Sequence, residues 1–346
     1  INPEYWDMST LQSHISLGPY NTFGIDVSTH YWIQINSFKE AEEFIIDNIN
    51  NPLPTFILGG GSNILFTQDF EGVMIYNQVK GKEVLKETAD EVWLKVGAGE
   101  NWHELVMYCL EKDWGGIENL SLIPGSVGAA PIQNIGAYGV EIKEVFDHLV
   151  AIDLQTGHTR TFRKAECRFG YRDSIFKRQA KGRYMITHVV FRLSRHTHTL
   201  HTNYGAITQY LEEKGLKPSI HTISEAVISI RQSKLPDPKV IGNAGSFFKN
   251  PVISADAFAR IQGQYPQAPH YPQNDGNIKV PAGWLIQTCG WKGHDRGNHG
   301  VHDRQALVLV NRGGASGQSI YDLSEEILQD VHQTFGIALT REVNIM

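Results

Sequence analysis

Between residues 28 and 60 the chain changes its hydrophobic period twice. Tyr31-Trp32-Ile33-Gln34-Ile35 alternates like a half-buried strand. Ser37 then stands where an N-cap belongs before Lys39-Glu40-Ala41-Glu42-Glu43-Phe44-Ile45-Ile46, which reads as helix. The apolar run Thr55-Phe56-Ile57-Leu58 enters Gly59-Gly60-Gly61-Ser62-Asn63 and leaves through Ile64-Leu65-Phe66, the pattern of a strand, a tight glycine turn and more extended chain. Val92-Trp93-Leu94-Lys95-Val96 is a further strand ending in Gly97-Ala98-Gly99, and Asn101 caps a helix running through His103 to about Leu110. Helix and strand therefore alternate over the first half.

From Ser121 to Gly139 the periodicity stops, because Pro124, Gly125, Gly128, Pro131, Gly136 and Gly139 break both helix and strand. A loop that long needs a reason. Strands resume near Leu149–Asp153 and Tyr184–Leu193, and 224–234 reads as helix. Leu235-Pro236-Asp237-Pro238 is the best domain boundary. Beyond it the pattern predicts a turn at Asn243-Ala244-Gly245-Ser246, a helix over 255–262, a short helix near Trp284 and a strand over 306–310. A long helix follows, with Ile320, Leu323, Ile327, Val331 and Phe335 as its apolar stripe, and 337–346 closes the chain as a strand.

At 346 residues, with roughly 150 per domain, the chain has room for two or three domains and an enclosed site. Its 41% hydrophobic and 20% charged residues exclude a disordered or fibrous protein. The 31 Lys plus Arg against 37 Asp plus Glu leave a net charge of −6, which disfavours nucleic acid and acidic membranes as partners. Any anionic ligand must be caught by local cations. Cys109, Cys167 and Cys289 are too far apart for a zinc ribbon or disulfide framework and read as reduced thiols. The start, Ile1-Asn2-Pro3-Glu4-Tyr5-Trp6, is neither basic nor apolar, and no run approaches the roughly 18 apolar residues of a membrane span. A soluble cytoplasmic protein is expected. The 15 histidines include His196, His198 and His201, yet they form no metal-ligand motif, so no metal is expected.

Gly59 to Asn63 could turn backbone N–H groups onto a pyrophosphate, though the segment lacks the dinucleotide fingerprint and a plain strand turn stays open. The 121–139 loop mixes small and apolar residues in a non-repeating order, a surface suited to a planar ring. Together with Asn21-Thr22-Phe23-Gly24, Cys167-Arg168-Phe169-Gly170-Tyr171-Arg172-Asp173-Ser174-Ile175-Phe176-Lys177, Gly245-Ser246-Phe247-Phe248-Lys249-Asn250-Pro251 and Ala282-Gly283-Trp284-Leu285-Ile286, these segments closely resemble the UDP-N-acetylenolpyruvoylglucosamine reductase family. The resemblance runs in order from about residue 17 to the end. Thr202-Asn203-Tyr204-Gly205 resembles the tyrosine-bearing loop of the family's first type.

The resemblance implies an α+β fold: a two-part FAD-binding region of the vanillyl-alcohol-oxidase/PCMH type followed by a C-terminal α+β domain for the UDP-sugar. The parts would be residues 1–78, 79–235 and 236–336, with a return of 337–346 to the first part left open. It also implies reduction of an enolpyruvyl UDP-sugar in peptidoglycan synthesis with FAD and NADPH; a monomer is expected. FAD would be held by Gly59, Gly60, Gly61, Ser62, Asn63, Ser121, Pro124, Gly125, Ser126, Gly128, Ala129, Gln133, Asn134, Gly136, Ala137 and Tyr171. The UDP-sugar would meet Tyr204, Lys234, Asn250, Tyr271, Lys292 and Gln305.

Hydride addition to the terminal vinyl carbon leaves enolate charge beside the substrate carboxylate, which must be stabilised. The resemblance places Arg172 and Glu342 there, and Arg172 brings a permanent planar cation. An ionised Glu342 would repel the enolate, so it is expected to be protonated or held against a cation. Ser246 would protonate the enolate carbon, a strong enough base for a well-placed weak acid. Alone, Ser246 reads as a turn serine and Arg172 as half of a surface ion pair. Thr340-Arg341 departs from the acidic residue and proline usual in the family before the final Glu-Val, which leaves the aim of Glu342 open. Gln287 likewise replaces an acidic residue. The alternatives are a flavin oxidase of the same fold and a catalytically silent UDP-sugar-binding regulator.

Overall fold

A computed structural model describes residues 11–49 and 53–346. The chain divides into two compact units. The first gathers residues 11–15, Thr29–Gly60 and Phe70–Ser233, and the second Ser16–Ser28, Gly61–Asp69 and Lys234–Met346.

In the first unit a four-stranded sheet has the order Gln12–Ser16, Ser28–Ile35, Phe70–Asn77, Thr55–Leu58. The last two pairings are parallel, so a crossover is needed. The helix Phe38–Asp47 supplies it, with the Ser37 hydroxyl accepting from Glu40 N–H at 3.1 Å as the N-cap. Ala41 and Ile45 of this helix pack on Ile33, Ile35, Val73 and Ile75. The second sheet is antiparallel, in the order Thr159–Arg163, Phe146–Asp153, Tyr184–Arg195, Glu91–Gly97, Lys82–Glu87. Trp114–Gly115 adds to its long central strand. The helix Trp102–Glu111, capped by Asn101, buries Trp102, Leu105, Val106 and Cys109 against this sheet. The helix Ile220–Lys234 packs Ile223, Val227 and Ile230 on Ile207 and Leu211 of the helix Gly205–Lys214.

The second unit is built on an antiparallel sheet ordered Gly242–Ser246, Val308–Asn311, His299–Val301. The helix Gly317–Phe335 lies on it, and Ile320, Leu323, Ile327 and Val331 of the expected stripe are fully buried. Phe335 instead sits half-buried beside Tyr265 and Trp284, ring centroids 5.4 and 5.6 Å away. The segment 243–246 is a strand and not the free turn its composition suggests. Gly245 takes φ +68° and its N–H meets the Asn243 side chain at 2.9 Å, so the turn chemistry is absorbed as a bulge in the pairing with Val308–Asn311. Paired strand geometry at the chain's end is confined to Asn344–Ile345, which runs parallel to Ile64–Leu65. All three cysteines are free thiols. Among the described residues no helix is long and apolar enough to cross a membrane, and no group of three His, Cys, Asp or Glu side chains is placed to hold a metal ion.

Candidate active site

In the first unit, Gly59 and Gly60 are pressed onto the 121–139 loop. A Cβ on Gly59 would lie 2.3 Å from Ser126 Oγ, and one on Gly60 2.8 Å from the Gly125 Cα. Gly128 is as tightly set, with Ala98 Cβ 2.5 Å from where its own would be. The loop is stitched to the chain before the helix Trp102–Glu111: Gly128 N–H donates to the Ala98 carbonyl at 2.8 Å, and Val127 N–H to that of Glu100 at 2.9 Å. Smallness in both glycine segments thus serves close packing of the two segments and of Ala98 against them. Ser121 is fully buried and its hydroxyl meets the Glu118 carbonyl at 2.6 Å and Ser224 Oγ at 2.7 Å, which fixes the loop's stem. Pro124 is exposed, while Gly125, Ala129, Gln133 and Ala137 are half-buried on the same loop.

The 168–174 segment is locked to this loop. Buried Asn134 donates to the Gly170 carbonyl at 2.9 Å and accepts from Lys143 N–H at 3.1 Å. Ser174 Oγ donates to the Ile132 carbonyl at 2.6 Å. Arg172, in the left-handed region at φ +52°, donates from Nη2 to the Gly136 carbonyl at 2.6 Å. Its guanidinium lies 5.6 Å from the Tyr171 ring centre. The 121–139 residues assigned to the cofactor and the arginine assigned to the substrate carboxylate therefore meet on one hydrogen-bonded loop pair.

Reading the sequence missed a cation at the same place. Arg231, on the helix Ile220–Lys234, has its Nε sealed from solvent without a hydrogen-bond partner. Its guanidinium hydrogen-bonds the Tyr138 hydroxyl, and its charged neighbour is Arg172, another cation. Among the described residues no carboxylate stands within ion-pair range of it. Burial pulls the Arg231 guanidinium below its ordinary value; Tyr138 opposes this and Arg172 adds to it. A half-buried guanidinium with its Nε sealed and no carboxylate beside it is costly, so the arrangement suits an anionic group. The available signal was position: Arg231 lies four residues after buried Val227, where the helix's apolar stripe should continue. His103 was also passed over. Its Nδ1 accepts from Leu122 N–H at 3.0 Å, and burial, then Arg231, hold its pKa below the usual histidine value.

In the second unit, Gly61 at φ +60° leaves no room for a side chain, since a Cβ would meet the Tyr20 carbonyl oxygen at 1.9 Å. Asn63 donates from Nδ2 to the Glu342 carbonyl at 3.3 Å, and its own carbonyl accepts from Asn344 N–H at 3.1 Å. Glu342 N–H donates to the Phe247 carbonyl at 2.8 Å, and Lys249 N–H to that of Thr340 at 2.9 Å. The proposed proton donor and the proposed glutamate therefore sit on neighbouring extended segments. Ser246 is exposed, while Phe247 and Phe248 beside it are fully buried and anchor its strand.

Of the substrate-side residues in this unit, Asn250 Oδ1 accepts from Ala282 N–H at 2.9 Å and Gln305 Oε1 from Leu307 N–H at 3.4 Å. Tyr271, Lys234 and Lys292 are exposed. Tyr204 belongs to the first unit, where its ring meets that of Tyr138 edge-on at 5.1 Å.

Residues 37–163 match the family described as FAD binding domain, and residues 237–346 match that described as UDP-N-acetylenolpyruvoylglucosamine reductase, C-terminal domain. The chain is 47% identical to the UDP-N-acetylenolpyruvoylglucosamine reductase of Flavobacterium johnsoniae, covering 97% of this chain and 99% of the relative. With that of Pseudomonas putida it shares 48%, covering 96% and 98%. The solved structure of the reductase from Thermus caldophilus has the same fold, with a TM-score of 0.66 at 21% identity over 97% of this chain and 99% of that one. The fold is accordingly α+β, with an FAD-binding region followed by a C-terminal reductase domain. Two matched segments and relatives near half-identical over almost their whole length establish that this chain belongs to the UDP-N-acetylenolpyruvoylglucosamine reductases, FAD-dependent oxidoreductases of peptidoglycan synthesis.

Proposed function

We propose that this protein reduces the enolpyruvyl group of UDP-N-acetylglucosamine enolpyruvate to the lactyl ether of UDP-N-acetylmuramate, as a cytoplasmic monomer using NADPH. FAD, reduced by NADPH, supplies the hydride for the terminal vinyl carbon. The chain's own residues do the rest. Gly59 to Asn63 and the 121–139 loop would hold the cofactor, and Arg231, half-buried with its Nε sealed, would answer negative charge on it. Arg172, held from behind by the Gly136 carbonyl, would face the substrate carboxylate and lower the energy of the enolate. Ser246 delivers a proton to the enolate carbon and takes one back from solvent, to which it is open. Glu342, protonated or against a cation, faces the same carboxylate. Tyr204, Lys234, Asn250, Tyr271, Lys292 and Gln305 bind the UDP portion.

The observation that carries this reading is the hydrogen bond from Glu342 N–H to the Phe247 carbonyl, which sets the glutamate beside the strand position next to Ser246. The test separates the half-reactions. Purified Ser246→Ala should be yellow and bleach with NADPH at the parent rate, while reoxidation by the enolpyruvyl UDP-sugar slows by orders of magnitude. Equal loss in both half-reactions removes Ser246 from the proton-donor role. Turnover with oxygen alone would favour an oxidase, and a colourless UDP-sugar-binding protein a silent regulator.

A further inference from the structure

Tyr138 is held from three directions in a conformation that an ordinary residue avoids. Its φ is +50°, left-handed and uphill for a side chain of this size. Its carbonyl accepts from Asn119 Nδ2 at 3.1 Å, and the same amide group donates to the His201 carbonyl at 2.9 Å. Asn119 is 1% exposed, so this one amide pins the end of the 121–139 loop and the base of the tyrosine loop together. The Tyr138 hydroxyl meets the Arg231 guanidinium. Its ring stands at 80° to that of Tyr204 with centroids 5.1 Å apart, an edge-to-face pair. Tyr204 itself is 46% exposed and precedes the helix Gly205–Lys214 without a side-chain cap bond to it. Backbone strain kept in place by surrounding contacts points to a position whose side chain must face one way.

We propose that Tyr138 is a positioning residue: its ring sets where Tyr204 stands and so governs UDP-sugar affinity. The substrate half of this rests on the proposed reading of Tyr204 as a UDP-sugar contact. An edge-to-face pair of this kind is worth about a three- to ten-fold bias in a loop's equilibrium. Removing the ring should release that bias, and Tyr138→Phe separates the loss of the ring from the loss of the hydroxyl that meets Arg231.

The experiment uses the FAD-loaded enzyme and two substitutions, Tyr138→Leu and Tyr138→Phe. In Tyr138→Leu, amide hydrogen exchange over residues 202–206 should rise about three- to ten-fold, and KM for the enolpyruvyl UDP-sugar should rise by a similar factor with kcat within about two-fold. In Tyr138→Phe, which keeps the ring, both should return to parent values. Unmoved exchange at 202–206 in Tyr138→Leu overturns the proposal, as does an equal rise in Tyr138→Phe. Faster exchange without a higher KM supports the contact and overturns instead the assignment of Tyr204 to the substrate. Should Tyr138→Leu fold poorly, Tyr204→Leu reads the same contact from its exposed side: exchange at Tyr138 and Gly139 should rise, and no change there sinks the idea.

Discussion

Arg341 donates from Nε to Ser324 Oγ at 2.8 Å, tying the residue before Glu342 to the middle of the helix Gly317–Phe335. The same guanidinium pairs with Glu325 and lies 4.6 Å from the Tyr321 ring centre. Successive residues of an extended chain point to opposite sides, and the main chain of Phe248 bridges Arg341 while Glu342 N–H takes the Phe247 carbonyl. With Arg341 committed to the helix, Glu342 is turned away from it. The Thr340-Arg341 pair thus gives the approach to Glu342 a three-point side-chain anchor.

Arg341→Ala should therefore act on both stability and aim. Losing one charge-assisted pair and one hydrogen bond to a buried serine is expected to cost about 1–2 kcal/mol in urea unfolding. Reoxidation of reduced enzyme by the UDP-sugar should slow more than flavin reduction by NADPH. Equal slowing would show that Arg341 serves the fold alone.

Gly245 makes a sharper prediction about Ser246. A Cβ there would meet nothing within 4 Å, so space does not demand glycine; the φ of +68° does. Gly245→Ala should cost about 1–2 kcal/mol of backbone strain, or else the bulge relaxes and carries Ser246 out of position. The two outcomes differ in readout, one lowering the urea midpoint with kcat kept and the other lowering kcat with the midpoint kept. A variant unchanged in both would contradict the strain argument.

What the sequence made legible is what one-dimensional periodicity encodes. The stripe from Ile320 to Val331 and the caps Ser37 and Asn101 are local features, and each appears where the pattern puts it. The strand Gly242–Ser246 was not legible, because Asn, Gly and Ser favour turns and only pairing with Val308–Asn311 overrides them. The strand Lys82–Glu87 also escaped, being an exposed edge with little apolar alternation. The motifs brought Arg172 and the 121–139 loop to attention, but their bond through the Gly136 carbonyl is a tertiary fact. Arg231 was hidden for a different reason. A lone arginine in a helix ordinarily faces solvent, and only its sealed Nε reveals otherwise.

Arg231→Met should move stability and cofactor chemistry in opposite directions. Removing a half-buried cation that has no carboxylate partner is expected to stabilise the flavin-free protein by about 1 kcal/mol. If the same cation answers charge on the reduced cofactor, the flavin midpoint potential should fall, with about 30 mV for each 1.4 kcal/mol of lost two-electron stabilisation. A potential that does not move would detach Arg231 from the cofactor while leaving its burial to be explained by Tyr138 alone.

Histidines whose burial outweighs the acidic groups beside them should govern the response to mild acid. His188, on the long strand Tyr184–Arg195, is pushed down to about 4, first by burial and then by nearby Lys95, from an ordinary 6.5. The folded chain therefore keeps it neutral where the unfolded chain would protonate it. Between pH 6.5 and 4 the unfolded state binds more protons, so stability falls as pH falls. The contribution is complete above 6.5 and gone below about 4. After allowance for its partial exposure it amounts to about 2 kcal/mol. His103, lowered by burial and Arg231, and His302, lowered by burial, act in the same direction. His188→Gln should flatten the loss of urea stability across this window without altering the plateau's slope above pH 7. An unchanged slope between 6.5 and 4 would mean that another group carries the acid response.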